Sequence, residues 1–107
     1  MKKILVIAAH PDDEFLGCGA TLLSLKKKGF KIKTLFLADG ESSRMLKKKK
    51  KNKVIQDREK QARKLAKKCD FLPPIFNRFP DNKLDTVPFL EIIKSIEKEI
   101  IKFKPEI

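Results

Sequence analysis

The 107-residue chain reads as an α/β protein with a Rossmann-like, mostly parallel sheet and flanking helices. Three observations predict this class. Short apolar runs rich in β-branched residues alternate with longer stretches of helical spacing. The first run, Ile4-Leu5-Val6-Ile7, is continuous rather than alternating, which suits a strand buried on both faces. A second run, 31–38, returns after one helix length, and strand, helix, strand in that span makes a right-handed βαβ unit.

The elements follow in order. Residues 3–9 form the first strand and 13–28 the first helix, with Phe15, Leu16, Leu22, Leu23 and Leu25 at helical spacing. Lys26-Lys27-Lys28 and then Gly29 stop it. Gly17 and Gly19 lie inside this helix, at roughly 1 kcal/mol each relative to alanine. Close packing on the sheet and room for a ligand both account for them. Residues 31–38 form the second strand, and Asp39-Gly40-Glu41-Ser42-Ser43 a loop on the same sheet edge as His10.

Lys47 to Lys51, with Lys53, form a solvated segment of like charges before a helix over 54–68. In that helix Arg58, Ala62, Leu65 and Cys69 share one face, with Arg58 near the helix start. Phe71-Leu72 and Ile75-Phe76 mark a third strand. Pro73-Pro74 confines it to a short edge strand near 74–78. Phe79-Pro80-Asp81-Asn82-Lys83 reads as a loop. The last helix spans 86–103, capped by Asp85 or Thr86, with Pro88 in its first turn. Its apolar face is Phe89, Ile92, Ile93, Ile96, Ile100 and Phe103. Pro105 ends it, and Glu106-Ile107 reads as the approach to a fourth strand.

Length and composition allow one small domain. No apolar run approaches the ~20 residues of a membrane span. The basic start and short apolar run imitate a signal peptide but break at His10-Pro11-Asp12-Asp13 without a small-residue cleavage site. Cys18 and Cys69 are too far apart in sequence for a metal ribbon or a disulfide framework; two free thiols in a reducing cytosol, and a cytoplasmic protein, are expected. The net charge of +12 is concentrated: residues 47–68 carry +10, against +3 before them and −1 after. The function classes open to such a segment are an anion-binding flap or a polyanion surface. No aromatic side chain is interleaved for base stacking, which argues against a nucleic-acid partner.

The chemistry concentrates in Ala8-Ala9-His10-Pro11-Asp12-Asp13-Glu14, on the turn from the first strand into the first helix. It places the only histidine beside three carboxylates, at the sheet edge where open α/β folds bind ligands. An imidazole and a carboxylate two or three residues apart can reach one zinc ion. The helix start favours ionised Asp12 and Asp13. Adjacent aspartates point in different directions, so one can bind metal while the other handles a proton. Read without a metal, His10 ends a strand and the carboxylates cap a helix.

Ala-His-Pro-Asp-Asp-Glu, with Leu16-Gly17 and Gly19 behind it, resembles the opening motif of the LmbE/PIG-L-like N-deacetylases. The resemblance implies a zinc-dependent enzyme that removes acetyl from an N-acetylglucosamine-type substrate, a small amino sugar or glycoconjugate. It implies His10 and Asp13 as zinc ligands and Asp12 as the base that activates the water. Weaker matches follow in order: Asp39-Gly40-Glu41, Arg58-Glu59, and Phe79-Pro80-Asp81 with Leu84. They imply that Arg58 and Asp81 contact substrate. The family's third zinc ligand is a histidine beyond the next strand, and this chain has no second histidine. Residues 1–107 are therefore expected to be the amino-terminal part of one deacetylase domain, inactive alone or nearly so. The alternatives are a basic polyanion-binding module and an inactive pseudo-enzyme.

Overall fold

In the computed structural model, residues 2–9, 13–38, 48–79 and 89–107 are described, with backbone alone for 13–18, 48–52 and 89. The order is β1 (Lys3–Ala8), α1 (Asp13–Lys27), β2 (Lys31–Ala38), α2 (Lys48–Lys68), β3 (Ile75–Phe79) and α3 (Phe89–Phe103). The strands form a parallel sheet in the order β1-β2-β3, with Ile4 paired to Ile32 and Phe36 to Phe76.

Alternation along the strands divides the sheet into two faces. Ile4 and Ile32 pack with Leu22 of α1 and with Ala66 and Phe71 at the end of α2, so α1 and α2 cover one face together. Lys33, one residue on from Ile32, turns to the other face. There it meets Glu99 of α3 at 3.8 Å and lies over the Phe103 ring. Asn77 of β3 donates to the Ser95 hydroxyl of α3 at 3.0 Å. Helices therefore lie on both faces, two on one and α3 on the other.

The chain then returns to β1. The Leu5 amide donates to the Ile107 carbonyl at 2.9 Å, and the Ile107 amide to Lys3 at 3.4 Å. That is the bond pattern of a first parallel rung opposite Ile4. The approach to a fourth strand expected from Glu106-Ile107 thus reaches the sheet, on the side of β1 away from β2. At Ile4, β1 is thus hydrogen-bonded on both edges, while the burial on both faces expected from its apolar run is only partial, with Ile7 42% exposed.

Helices α1 and α2 end alike. Phe30 donates to the Leu25 carbonyl and Gly29 to Lys26, while Phe71 donates to Ala66 and Asp70 to Lys67. Both are Schellman caps. Each sends an aromatic residue back into the same core as the residue it bonds. Gly29 supplies the left-handed conformation at one cap (φ 92°) and Asp70 at the other (φ 59°).

Beyond one-residue shifts at the ends of β1, α1 and β3, one boundary and two buried stripes differ from the sequence reading. Helix α2 begins at Lys48, not 54, so residues 48–53 continue the helix. Lysine is a good helix former, and extending a formed helix is far easier than nucleating one. Arg58 therefore lies mid-helix rather than near its start. The buried stripe of α2 is also rotated from the expected one. Glu59, Ala62 and Ala66 are buried, while Arg58, Leu65 and Cys69 are half-buried on its flank. In α3, Glu99 and Phe103 are buried and Ile100 is 43% exposed, because the stripe facing Lys33 wins over the outer apolar edge. The expected caps at Asp85 or Thr86 and Pro88 lie outside the described residues.

Ile32, Leu35 and Phe36 are the largest fully buried side chains, all on β2, the strand between β1 and β3. Ile32→Ala should lower unfolding stability by about 3 kcal/mol in urea denaturation. Ile101→Ala, on the outer side of α3 at 72% exposure, should change it by less than about 0.5 kcal/mol.

Candidate active site

A parallel sheet delivers the carboxyl ends of all its strands to one edge. β1 is held there past its last strand residue, since the Ala38 amide donates to the Ala9 carbonyl at 2.8 Å. Asp13 is the first residue of α1. Ala9 is thus tied to the sheet ladder and Asp13 to a helix start, with three residues between them in sequence. The unpaired amides and the positive dipole end of α1 favour carboxylates at this position.

The predicted site residues divide between described and undescribed positions. His10, Asp12 and Asp81 lie outside the described residues, and Asp13 is placed by its backbone alone. Arg58 is placed on α2, half-buried and engaged with its surroundings. The loop Asp39-Gly40-Glu41 and the side chain of Cys18 also fall outside, whereas Cys69 is a half-buried free thiol. Among the described residues, no group of three or more His, Cys, Asp and Glu side chains could hold a metal ion. The donors of the turn, one imidazole and one carboxylate between two anchored backbone points, are of the kinds zinc accepts.

Next to Arg58 stands the ionic contact that the sequence reading missed. Glu59 is buried at 3% exposure. Its two carboxylate oxygens accept from Nε and Nη2 of Arg78, each at 2.7 Å. Arg63, one helical turn on, stands 3.6 Å from the same carboxylate, and its guanidinium lies 5.0 Å from the centre of the Phe76 ring. The hydrogen bonds it donates to Glu59, and then the charge of that carboxylate, hold the Arg78 guanidinium even more firmly protonated than usual. Phe76 in turn stacks on Phe36, with centroids 5.5 Å apart.

Arg78 sits where β3 departs from regular pairing. Phe36 pairs with Phe76 and Ala38 with Phe79, so two β3 residues oppose one of β2. Arg78 is in the left-handed region, at φ 58°. This is a bulge at the carboxyl end of an outer strand, where bulges re-aim side chains. The bidentate fork compensates a conformation that costs a non-glycine residue about 1–2 kcal/mol. Two signals were available in the sequence. Glu59, Ala62 and Ala66 form an i, i+3, i+7 stripe, and Arg78 is the one charged residue of Ile75–Phe79.

The pair also sets the height of α2. Glu59 is level with Arg78 near the carboxyl end of β3, so residues 48–57 extend past that level by about 15 Å at helical rise. A cavity of about 310 Å³ lined by Arg63, Ala66, Lys67, Asp70, Phe71, Pro73 and Pro74 lies at the opposite end of β3.

Comparison with known proteins gives the family and the fold. The family model described as GlcNAc-PI de-N-acetylase, PIG-L, matches residues 5–107. A curated Escherichia coli K12 protein, "Uncharacterized deacetylase YaiS", is 51% identical over 41 residues, 38% of this chain and 22% of that protein. Among solved structures, the conserved protein TT1542 of Thermus thermophilus is 30% identical with a TM-score of 0.74, over 98% of this chain and 44% of its own. An N,N'-diacetylchitobiose deacetylase from Pyrococcus horikoshii is 24% identical with a TM-score of 0.84, over 98% of this chain and 39% of its own. GalB of Pseudomonas putida KT2440, a 4-carboxy-2-hydroxymuconate hydratase, is 20% identical with a TM-score of 0.79, over 99% of this chain and 45% of its own. The chain spans less than half the length of these proteins. The latter two likenesses speak for the fold.

A double-mutant cycle checks the ion pair. Arg78→Met should cost about 2 kcal/mol, less than a fully buried pair, because Arg78 itself is 59% exposed. Glu59→Met should cost less, since it leaves behind a cation that water can solvate. A coupling energy above about 1 kcal/mol in urea denaturation is expected.

Proposed function

Because the chain belongs to the GlcNAc-PI de-N-acetylase family, we propose that it carries part of the active site of a zinc-dependent hydrolase that removes an N-acetyl group from an N-acetylglucosamine-type substrate. One observation carries this reading. Ala-His-Pro-Asp-Asp-Glu begins at Ala9, whose carbonyl accepts from the Ala38 amide of β2, and runs into α1, which starts at Asp13. The motif therefore joins the carboxyl end of β1 to the start of α1 in sequence, at the edge where open α/β sheets bind ligands.

In this reading His10 and Asp13 hold the zinc ion, and Asp12 takes the proton from the water that attacks the amide carbonyl. Zinc supplies Lewis acidity to the carbonyl and stabilises the charge that develops on its oxygen. Arg58 and Asp81 bind the sugar. Arg58 directly precedes Glu59 on α2, and Asp81 follows Arg78 by three residues in sequence. His10 and Asp13 make two ligands where catalytic zinc sites ordinarily have three. The third is not a histidine of this chain. The substrate in this reading is a small molecule, and no described helix is long and apolar enough to cross a membrane.

Separate readouts test the donors and the reaction. Calorimetric titration with zinc should show binding weakened at least about tenfold by His10→Ala or Asp13→Ala. Asp12→Ala should leave zinc binding unchanged. In protein carrying a complete ligand set, Asp12→Ala should lower acetate release from an N-acetylated amino sugar by about 10²–10⁴-fold. Turnover that survives this substitution would remove Asp12 as the base. Zinc binding indifferent to His10 and Asp13 would remove the metal site.

A further inference from the structure

Helix α2 carries far more positive charge than its packing uses. Its buried stripe of Glu59, Ala62 and Ala66 faces the sheet. Directly opposite, Lys53, Lys60, Lys64, Lys67 and Lys68 are all exposed. At 100° per residue these five fall within one outward arc, over about 22 Å of helix. Asp57 is the one exposed carboxylate of α2 among the described residues. No exposed side chain of α2 from Lys53 to Lys68 is apolar or aromatic.

α1 lies beside α2 on the same face of the sheet, because Leu22 and Ala66 share one core cluster. It turns Ala20, Ser24 and Lys27 outward, with Leu23 at 41% exposure on the flank of that face. The outer surface of this layer is therefore broad, about two helix diameters across, and positively charged. It lies across the sheet face, separate from the carboxyl edge that holds His10.

We propose that the α1–α2 face is a docking surface for an anionic lipid bilayer. Charge complementarity carries the assignment, and shape selects the partner. A two-helix layer is too wide for the ~12 Å major groove of duplex DNA, and the face offers no rings for stacking on single strands. Its cations are mainly lysines, point charges without the forked geometry that reads bases or clasps individual phosphates. A plane of negative headgroups asks for neither. With Leu23 the one large apolar side chain exposed on α1 among the described residues, binding is mainly electrostatic, reversible and sensitive to salt.

Vesicle sedimentation of the full chain tests this. The chain should pellet with phosphatidylcholine vesicles containing about a quarter phosphatidylserine, and not with pure phosphatidylcholine. Each ridge lysine should contribute about fivefold, so K60E/K64E/K67E should bind at least about a hundredfold more weakly while keeping its circular dichroism spectrum. Asp57→Lys should bind about fivefold or more tightly, a gain that damage to the fold would not produce. The proposal fails if the triple variant binds as well as the parent. It also fails if duplex DNA at equal phosphate concentration strips the chain from the vesicles, which would assign the face to nucleic acid.

Discussion

The fork between Glu59 and Arg78 is the contact on which the geometry of the ligand edge depends. It is the point where α2 is fixed to the end of β3 in both rotation and height. Hydrophobic contact alone would not do this. The α2 residues facing the sheet there are alanines, Ala62 and Ala66, whose small, featureless surfaces resist sliding poorly. Two parallel hydrogen bonds to a buried carboxylate impose one register. Arg63 then leans on the same carboxylate and covers Phe76, so the aromatic stack with Phe36 is closed from above by a cation.

Much of this architecture was legible in the residues. β2 could be read to the residue, because Lys31–Ala38 is apolar, β-branched and bounded by Gly29 and Asp39-Gly40. The α1 stop was legible because a glycine in a Schellman cap has a sequence signature. The corresponding stop of α2 uses Asp70, which has none, yet the chain turns there in the same way. The beginning of α2 was hidden by its lysines. Charge density suggests a solvated coil, whereas helix propensity favours the helix, and propensity prevailed. The proposed site rests on a motif, since His10, Asp12 and Asp13 lie within four consecutive residues. The Glu59–Arg78 contact has no such motif. Glu59 and Arg78 are 19 residues apart on different elements, and no local periodicity announces such a pairing. A helix's buried stripe is also set by what it packs against, and this rotated α2 from Arg58 to Glu59 and α3 from Ile100 to Glu99.

Fold and chemistry separate cleanly here. A deacetylase and a hydratase share this arrangement of strands and helices with similar TM-scores. The scaffold therefore supplies a ligand edge and not a reaction. What distinguishes one chemistry from another is the handful of side chains on the turns of that edge, and here the argument for amide hydrolysis rests on the turn after β1. The other strongly charged region lies on a different surface, so the proposed chemistry and the proposed bilayer contact draw on different residues.

The left-handed conformation of Arg78 has a consequence for sequence divergence. On backbone grounds alone, position 78 would favour glycine or asparagine. Either would abandon the fork and leave a buried carboxylate at 59 with only Arg63 beside it. Removing Glu59 first would take away the reason to keep arginine in an unfavourable conformation. Neither position can drift by itself without loss, while a joint change to a neutral residue at 59 and glycine at 78 would relieve both constraints. Positions 59 and 78 are therefore expected to change together as related sequences diverge, a covariation set by one bulge.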